Sequence, residues 1–182
     1  MTNKIWSSHL GVIATGAGLI GAAIYLLMVR VTLAHIQAVS GQIAFDMRPL
    51  GYGVADAVAL LDALGEEGRS FYLHRQIPLD TLYPALMAVT LVATFCWLGR
   101  RIPNGRTVRL GVTLSIGTAL FDYLENLGVI AMILQGPNVS VPLVYVSSAA
   151  SIAKSGLTTA AVVLLLYSVV VWMWRARGPF RH

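Results

Sequence analysis

Charge is scarce in this chain, and what there is of it is unevenly placed. Asp, Glu, Lys and Arg make up 12% of the 182 residues against 57% hydrophobic, about half the charged fraction of an ordinary soluble domain. Cysteine is almost missing. With Cys96 alone, no intramolecular disulfide and no cysteine-based metal site can be built. Histidine is nearly as thin: His9 and His35 lie at opposite ends of one apolar run, where they cannot share a haem, and His74 stands apart. Neither a metal nor a cofactor is expected. Nucleotide loops, zinc motifs and nucleophile elbows are absent, and the glycines between Gly11 and Gly21 lack the strand-to-helix context of a dinucleotide fingerprint. No internal repeat or low-complexity segment occurs.

Apolar length is what the chain has in plenty. Four stretches, at about 9–29, 79–98, 110–134 and 142–174, reach or exceed the ~20 residues that cross ~30 Å of hydrocarbon. The first is longer than the roughly 7–15 apolar residues of a signal peptide and is expected to be retained. These features predict an all-α fold: one integral membrane domain over 1–182, a four-transmembrane-helix bundle with a long external loop at 30–78. Inside that loop Gly51-Tyr52-Gly53 reads as a turn. Val54, Val58, Leu61 and Leu64 then recur at helical spacing, with Asp56, Asp62 and Glu66 elsewhere on the wheel. One or two short amphipathic helices are expected there, on the outer surface of the bundle or among headgroups.

The formal net charge of +5 is not a nucleic-acid signature, because its distribution follows the spans. Arg100, Arg101, Arg106 and Arg109 share one short connection; Arg175, Arg177 and Arg181 end the chain; Lys4 begins it. The 30–78 loop holds most of the acids, and the connection at 135–141 has no charge. The positive-inside rule then puts both termini in the cytoplasm and the long loop outside, periplasmic or extracellular. Trp97, Trp172 and Trp174 fall at the cytoplasmic ends, where interfacial aromatics belong.

Two of the apolar runs are interrupted by charge. Asp122, Glu125 and Asn126 are spaced i, i+3 and i+4, so they share a helix face in the third span. Lys154 sits in the fourth. The intervening connection centres near Asn138, and Asp122 and Lys154 are each 16 residues from it, hence level in an antiparallel hairpin. Glu125 lies about 4–5 Å nearer the outer surface at 1.5 Å per residue. Charges at mid-membrane cost at least about 2.5–3.5 kcal/mol each, and by default they mark function or a specific pairing. Small and polar residues extend the same faces: Gly111, Ser115 and Thr118 on one helix, Ser147, Ser151 and Thr158 on the other. A matching stripe, Gly11, Thr15, Gly18 and Ala22, runs along the first span. Such stripes let helices approach closely in lipid, so the charged residues should face the bundle interior. Asp80, Tyr83 and Pro84 open the second span at the outer side. Together they predict a polar pocket open to the outside, lined by Asp80, Tyr83, Tyr123, Glu125, Asn126 and Lys154, with Asp122 as its floor. Two acids against one base leave a surplus negative charge, for which Arg30 and His35 are the available supplements.

Over residues 51 to 155 the chain resembles a group of small bacterial inner-membrane proteins of about this length. The resemblance rests on Gly51-Tyr52, on Leu64-Gly65-Glu66-Glu67-Gly68-Arg69 with Tyr72, on Leu79-Asp80 with Tyr83-Pro84, and on Phe121-Asp122-Tyr123-Leu124-Glu125-Asn126 with Lys154. It implies a four-span architecture, a bacterial inner (plasma) membrane location and a shared site, and it carries no reaction. In layout alone the chain is also similar to sterol-isomerase and sigma-2-receptor bundles, which hold acids inside a membrane pocket; their motifs differ, so no residue is carried over.

Three functions fit. The first is binding of an amphipathic small molecule or lipid at the charged pocket, or service as an accessory subunit of a larger membrane complex or homo-oligomer. The second is a membrane-embedded acid–base enzyme of isomerase type, with Asp122, Glu125 and Lys154 as its candidate catalytic groups. The third is a proton or ion relay. Binding is expected first.

Overall fold

The computed structural model describes residues 2–102 and 105–177, with side chains placed over 9–102 and 105–175. Of the basic residues used above to orient the chain, Arg181 and the side chains of Lys4 and Arg177 lie outside the described residues. Helix α1 (Thr2–Leu27) runs through a π-helical turn (Met28–Thr32) directly into α2 (Leu33–Ser40). Helix α3 (Val54–Phe71) likewise passes through a π-helical turn (Tyr72–Gln76) into α4 (Ile77–Gly99), followed by α5 (Gly105–Gln135) and α6 (Val141–Arg177). No strand occurs among the described residues. Four helical segments are long and apolar enough to cross a membrane: His9–Ser40, Val54–Gly99, Gly105–Asn138 and Val141–Arg175.

The segment 30–78, read from sequence as a long loop, is mostly helix. Only residues 41–53 link helices without being predominantly helical themselves. Pro78 does not begin a new element, because the π-helical turn just before it has already interrupted the regular hydrogen-bond ladder that a proline would break. The real reversal is at Gly65, with φ 60° and ψ −169°. That region is open essentially only to glycine, so α3 is two helical pieces meeting at a corner. The first piece buries Ala57, Leu60, Leu61 and Leu64, while Val54 and Val58 pack at the edge of the same core. This face, offset slightly from the expected one, joins Met28, Ile36, Phe45, Val129, Met132 and Val144 in the main apolar core. That core therefore sits at one end of the bundle, under α3.

Along their length the long helices pack as an arc rather than a ring. Helix α4 lies against both α1 and α5, α5 lies against α6, and α1 and α6 form no packed interface. Small residues set the close crossings. A Cβ on Gly18 would stand 3.3 Å from Thr90 Cγ2, and one on Gly111 would stand 2.5 Å from the Phe95 ring. At the opposite end from α3, Trp97 and Trp172 meet edge-on at 5.5 Å, with the Arg101 guanidinium 3.5 Å above Trp97.

Of the α5 glycines that face α6, Gly128 is more crowded than Gly117. A Cβ on Gly128 would lie 2.5 Å from Ser147 Oγ and 3.3 Å from the Ser147 Cα, which is backbone and cannot turn away. Gly128→Ala should therefore cost roughly 1–3 kcal/mol through overpacking. Gly156→Ala, which meets nothing within 4 Å, should be neutral or slightly stabilising. Thermal unfolding of both variants in mild detergent checks the difference; equal midpoints would mean that the helices do not touch there.

Candidate functional site

Helix α5 buries Ser115, Thr118, Asp122, Glu125 and Asn126 on one face, as the i, i+3, i+4 spacing requires. Across from it α6 buries Ser147, Ser148 and Ser151 and carries Lys154. The Lys154 ammonium pairs with both acids: directly with Glu125 Oε2, and at 3.4 Å with Asp122 Oδ1. The second Glu125 oxygen accepts a 2.5 Å hydrogen bond from Ser151 Oγ. Tyr52, from the 41–53 connection, fastens the same helix by donating its hydroxyl to Ser147 Oγ at 2.7 Å. Its backbone N–H goes to Ser148 Oγ at 2.8 Å. Burial pushes the Tyr52 phenol up to about 12, so it stays protonated and remains a donor near neutral pH.

Helix α4 is tied to α5 through a gap in its own ladder. Pro84 has no N–H, so the carbonyl of Asp80, four residues earlier, lacks its normal helical partner. Asn126 Nδ2 supplies the missing donor at 2.9 Å, and Tyr123 Oη donates to the neighbouring Thr81 carbonyl at 3.1 Å. Both are sequence-predicted pocket residues, and both act here as staples between helices. The Asp80 carboxyl group is itself buried, 4% exposed, and its Oδ2 has no hydrogen-bond partner.

A fourth acid arrives from an unexpected place. Asp46, in the 3₁₀ turn Phe45–Met47, accepts hydrogen bonds from Tyr72 Oη at 3.0 Å and from Gln76 Nε2 at 2.9 Å. Thr32 Oγ1 in turn donates to Gln76 Oε1, so one polar chain links the connection to both π-helical turns. Desolvation raises the Asp46 carboxyl above its ordinary range, against the pull of the Lys154 charge and of the Gln76 and Tyr72 hydrogen bonds. Sequence reading passed over Asp46, Gln76 and Thr32. None of the three has a periodic relation to the acids of α5; the only signal was a lone Asp in an apolar turn.

A cavity of about 440 Å³ connects these groups. Asp46, Asp80, Asp122 and Lys154 stand in its lining, along with Tyr83, and Tyr25, Met28, Leu33 and Met87 add apolar surface. Of the predicted lining, Asp80, Tyr83 and Lys154 face it, and so does Asp122. Glu125 pairs with Lys154, while Asn126 and Tyr123 are engaged with α4. Arg30 and His35 bring no compensating charge: neither forms an ion pair with these acids among the described residues, and His35 stacks on Phe71 at 4.1 Å. Asp46, Met47 and Pro49 place the 41–53 connection against the cavity, which occupies the gap between α1 and α6. Among the described residues no three His, Cys, Asp or Glu side chains converge as a metal site would require.

No protein-family model, curated protein or solved structure matches the chain. The site must be read from its own chemistry.

The Pro84–Asn126 link predicts a coupling. Asn126→Ala should cost about 1–3 kcal/mol, the penalty of stranding a buried carbonyl. In a Pro84→Ala background, where an N–H returns to the ladder, the same change should cost measurably less. A double-mutant cycle on thermal or denaturant unfolding in detergent measures this, and strict additivity would dissolve the link.

Proposed function

We propose that the protein is a membrane-embedded binding protein whose cavity between α1 and α6 receives an amphipathic small molecule or lipid. The carrying observation is the cavity itself: about 440 Å³, lined both by charged groups and by Tyr25, Met28, Leu33 and Met87. That volume and that mixture of apolar lining with a few polar groups are those of small-molecule sites. The methionines are adaptable surfaces for an alkyl chain. Because α1 and α6 form no packed interface, a ligand dissolved in the bilayer has a sideways route between them. In this reading both termini are cytoplasmic and the α3 end faces outward, in line with the clustering of arginines at 100–109 and 175–181.

Binding ranks above the other readings for specific reasons. A through-relay needs titratable groups along the path, and α4, α5 and α6 carry no acid or histidine from the cavity to their Trp97–Trp172 end. The groups that the sequence offers for acid–base catalysis, Asp122, Glu125 and Lys154, are already paired with one another.

Thr158 lines the cavity and its hydroxyl bonds its own helix at Lys154 O, 2.7 Å away, so Thr158→Phe should fill the space without breaking a tertiary contact. Native mass spectrometry of protein gently extracted from its membrane should show a retained small molecule or lipid on the parent. Retention should fall strongly in Thr158→Phe and persist in Val162→Phe, whose parent side chain is 40% exposed. Equal retention in all three would defeat the proposal. Orientation is tested separately: in a Cys96→Ala background, a cysteine at Gln42 should react with a membrane-impermeant thiol reagent added to intact cells, and one at Arg106 should not. The reverse pattern would invert the topology.

A further inference from the structure

We infer that the ligand of this cavity carries an ammonium group, received by the carboxylate of Asp80. The inference rests on the amphiphile-binding reading and adds the chemistry of the headgroup.

Four carboxyl groups, Asp46, Asp80, Asp122 and Glu125, are gathered around a single cation. Lys154 is already committed: its ammonium pairs with Glu125 and Asp122. Asp46 is held by two neutral donors, Tyr72 and Gln76. Asp80 has neither. It is 4% exposed, faces the cavity, pairs with no cation among the described residues and leaves Oδ2 without a hydrogen-bond partner. Among the described residues the buried side-chain atoms without hydrogen-bond partners, Asp80 Oδ2, Glu125 Oε2 and Asn126 Oδ1, are all acceptors, and of these Glu125 Oε2 has the Lys154 ammonium as an ion-pair partner. The site is therefore short of donors.

An ammonium group offers donors and no acceptor, and it brings the charge that the carboxylates lack. An anionic headgroup would meet three acids in the wall and a lysine already neutralised. A neutral alcohol could satisfy one acceptor but, unlike an ammonium, would do nothing to favour the ionised form of a buried carboxyl group. A bare metal ion would need several ligands at one point, which the described residues do not provide. The Tyr25 and Tyr83 rings, 5.6 Å apart, add aromatic surface to the cavity lining, which favours a cation further. Removing a buried carboxylate that has no protein partner should not weaken the ligand-free fold, since an unpaired buried charge costs stability rather than supplying it.

The test uses a matched pair on the full-length protein in neutral maltoside micelles: dodecylammonium and dodecanol, titrated at pH 7 and read by native mass spectrometry, with Thr158→Phe subtracting binding outside the cavity. The parent should retain dodecylammonium at least about tenfold more tightly than dodecanol, as expected for a hydrogen bond to a charged group. Asp80→Asn should erase that preference while leaving the ligand-free melting temperature unchanged or raised. The matched pair decides even if the variant fails to fold, because it needs only the parent. Dodecyl phosphoethanolamine distinguishes the source: tighter retention than dodecylammonium assigns the ammonium to a lipid headgroup, weaker retention to a free amine. Equal retention of alcohol and ammonium by the parent would overturn the ammonium assignment and leave the amphiphile cavity standing. Retention of neither, with Thr158→Phe without effect, would overturn both.

Discussion

The arrangement depends on one ammonium group that has nowhere else to go. Lys154 lies on a helix whose neighbouring surface is apolar, so its charge has to be met from inside the bundle. Asp122 and Glu125 meet it from α5, and this fixes the rotation and height of α5 against α6. Breaking such a pair by removing one partner is far more damaging than never having made it, because the remaining charge is stranded. With α5 placed, Asn126 necessarily faces α4, where Pro84 has left a carbonyl in want of a donor. The charge pair and the proline gap therefore belong to one alignment: the first orders two helices, and the second attaches a third to them.

Much of this was legible from spacing. The i, i+3, i+4 pattern of Asp122, Glu125 and Asn126 predicts a common face, and equal distance from Asn138 predicts that Lys154 reaches it. Both follow from helix geometry alone, which is why four long helices were foreseeable too. The Asn126 staple could also have been found, since any mid-helix proline frees the carbonyl four residues earlier. What spacing could not show was continuity. Pro78 looks like a boundary in the sequence, and only the π-helical turn before it lets the helix continue. Asp46 was illegible for a different reason. It reaches the cavity through Tyr72, Gln76 and Thr32, three residues on two separate π-helical turns, and no one-dimensional pattern records that meeting.

The cavity is a product of the same constraints. Helix α1 is held to α4 by small-residue contacts, among them Gly18 against Thr90, and α6 is held to α5 by charge and serines. Nothing comparable joins α1 to α6. The space between them is where the surplus carboxyl groups collect, because the outward faces of these helices are apolar and the packed interfaces have no room for them. A pocket of mixed polar and apolar lining follows from where the chain could and could not place its charge.

The apolar core beneath α3 has a consequence for how the molecule holds together. Ala57, Leu60 and Leu61 are fully enclosed there, with Val129, Met132 and Val144 against them. At that end the chain is its own solvent, sealed much as the interior of a water-soluble protein is. Toward the far end the helices turn long apolar faces outward, with Val163, Leu166 and Trp174 all open, and rely on whatever surrounds them. The larger enclosed core is therefore at the α3 end, and the far end is held by the narrower contacts of Phe95, Leu98 and the Trp97–Trp172 pair. A change of lipid or detergent would be felt first as a splaying of the helices away from α3, with the capped end keeping its shape after the rest has begun to part.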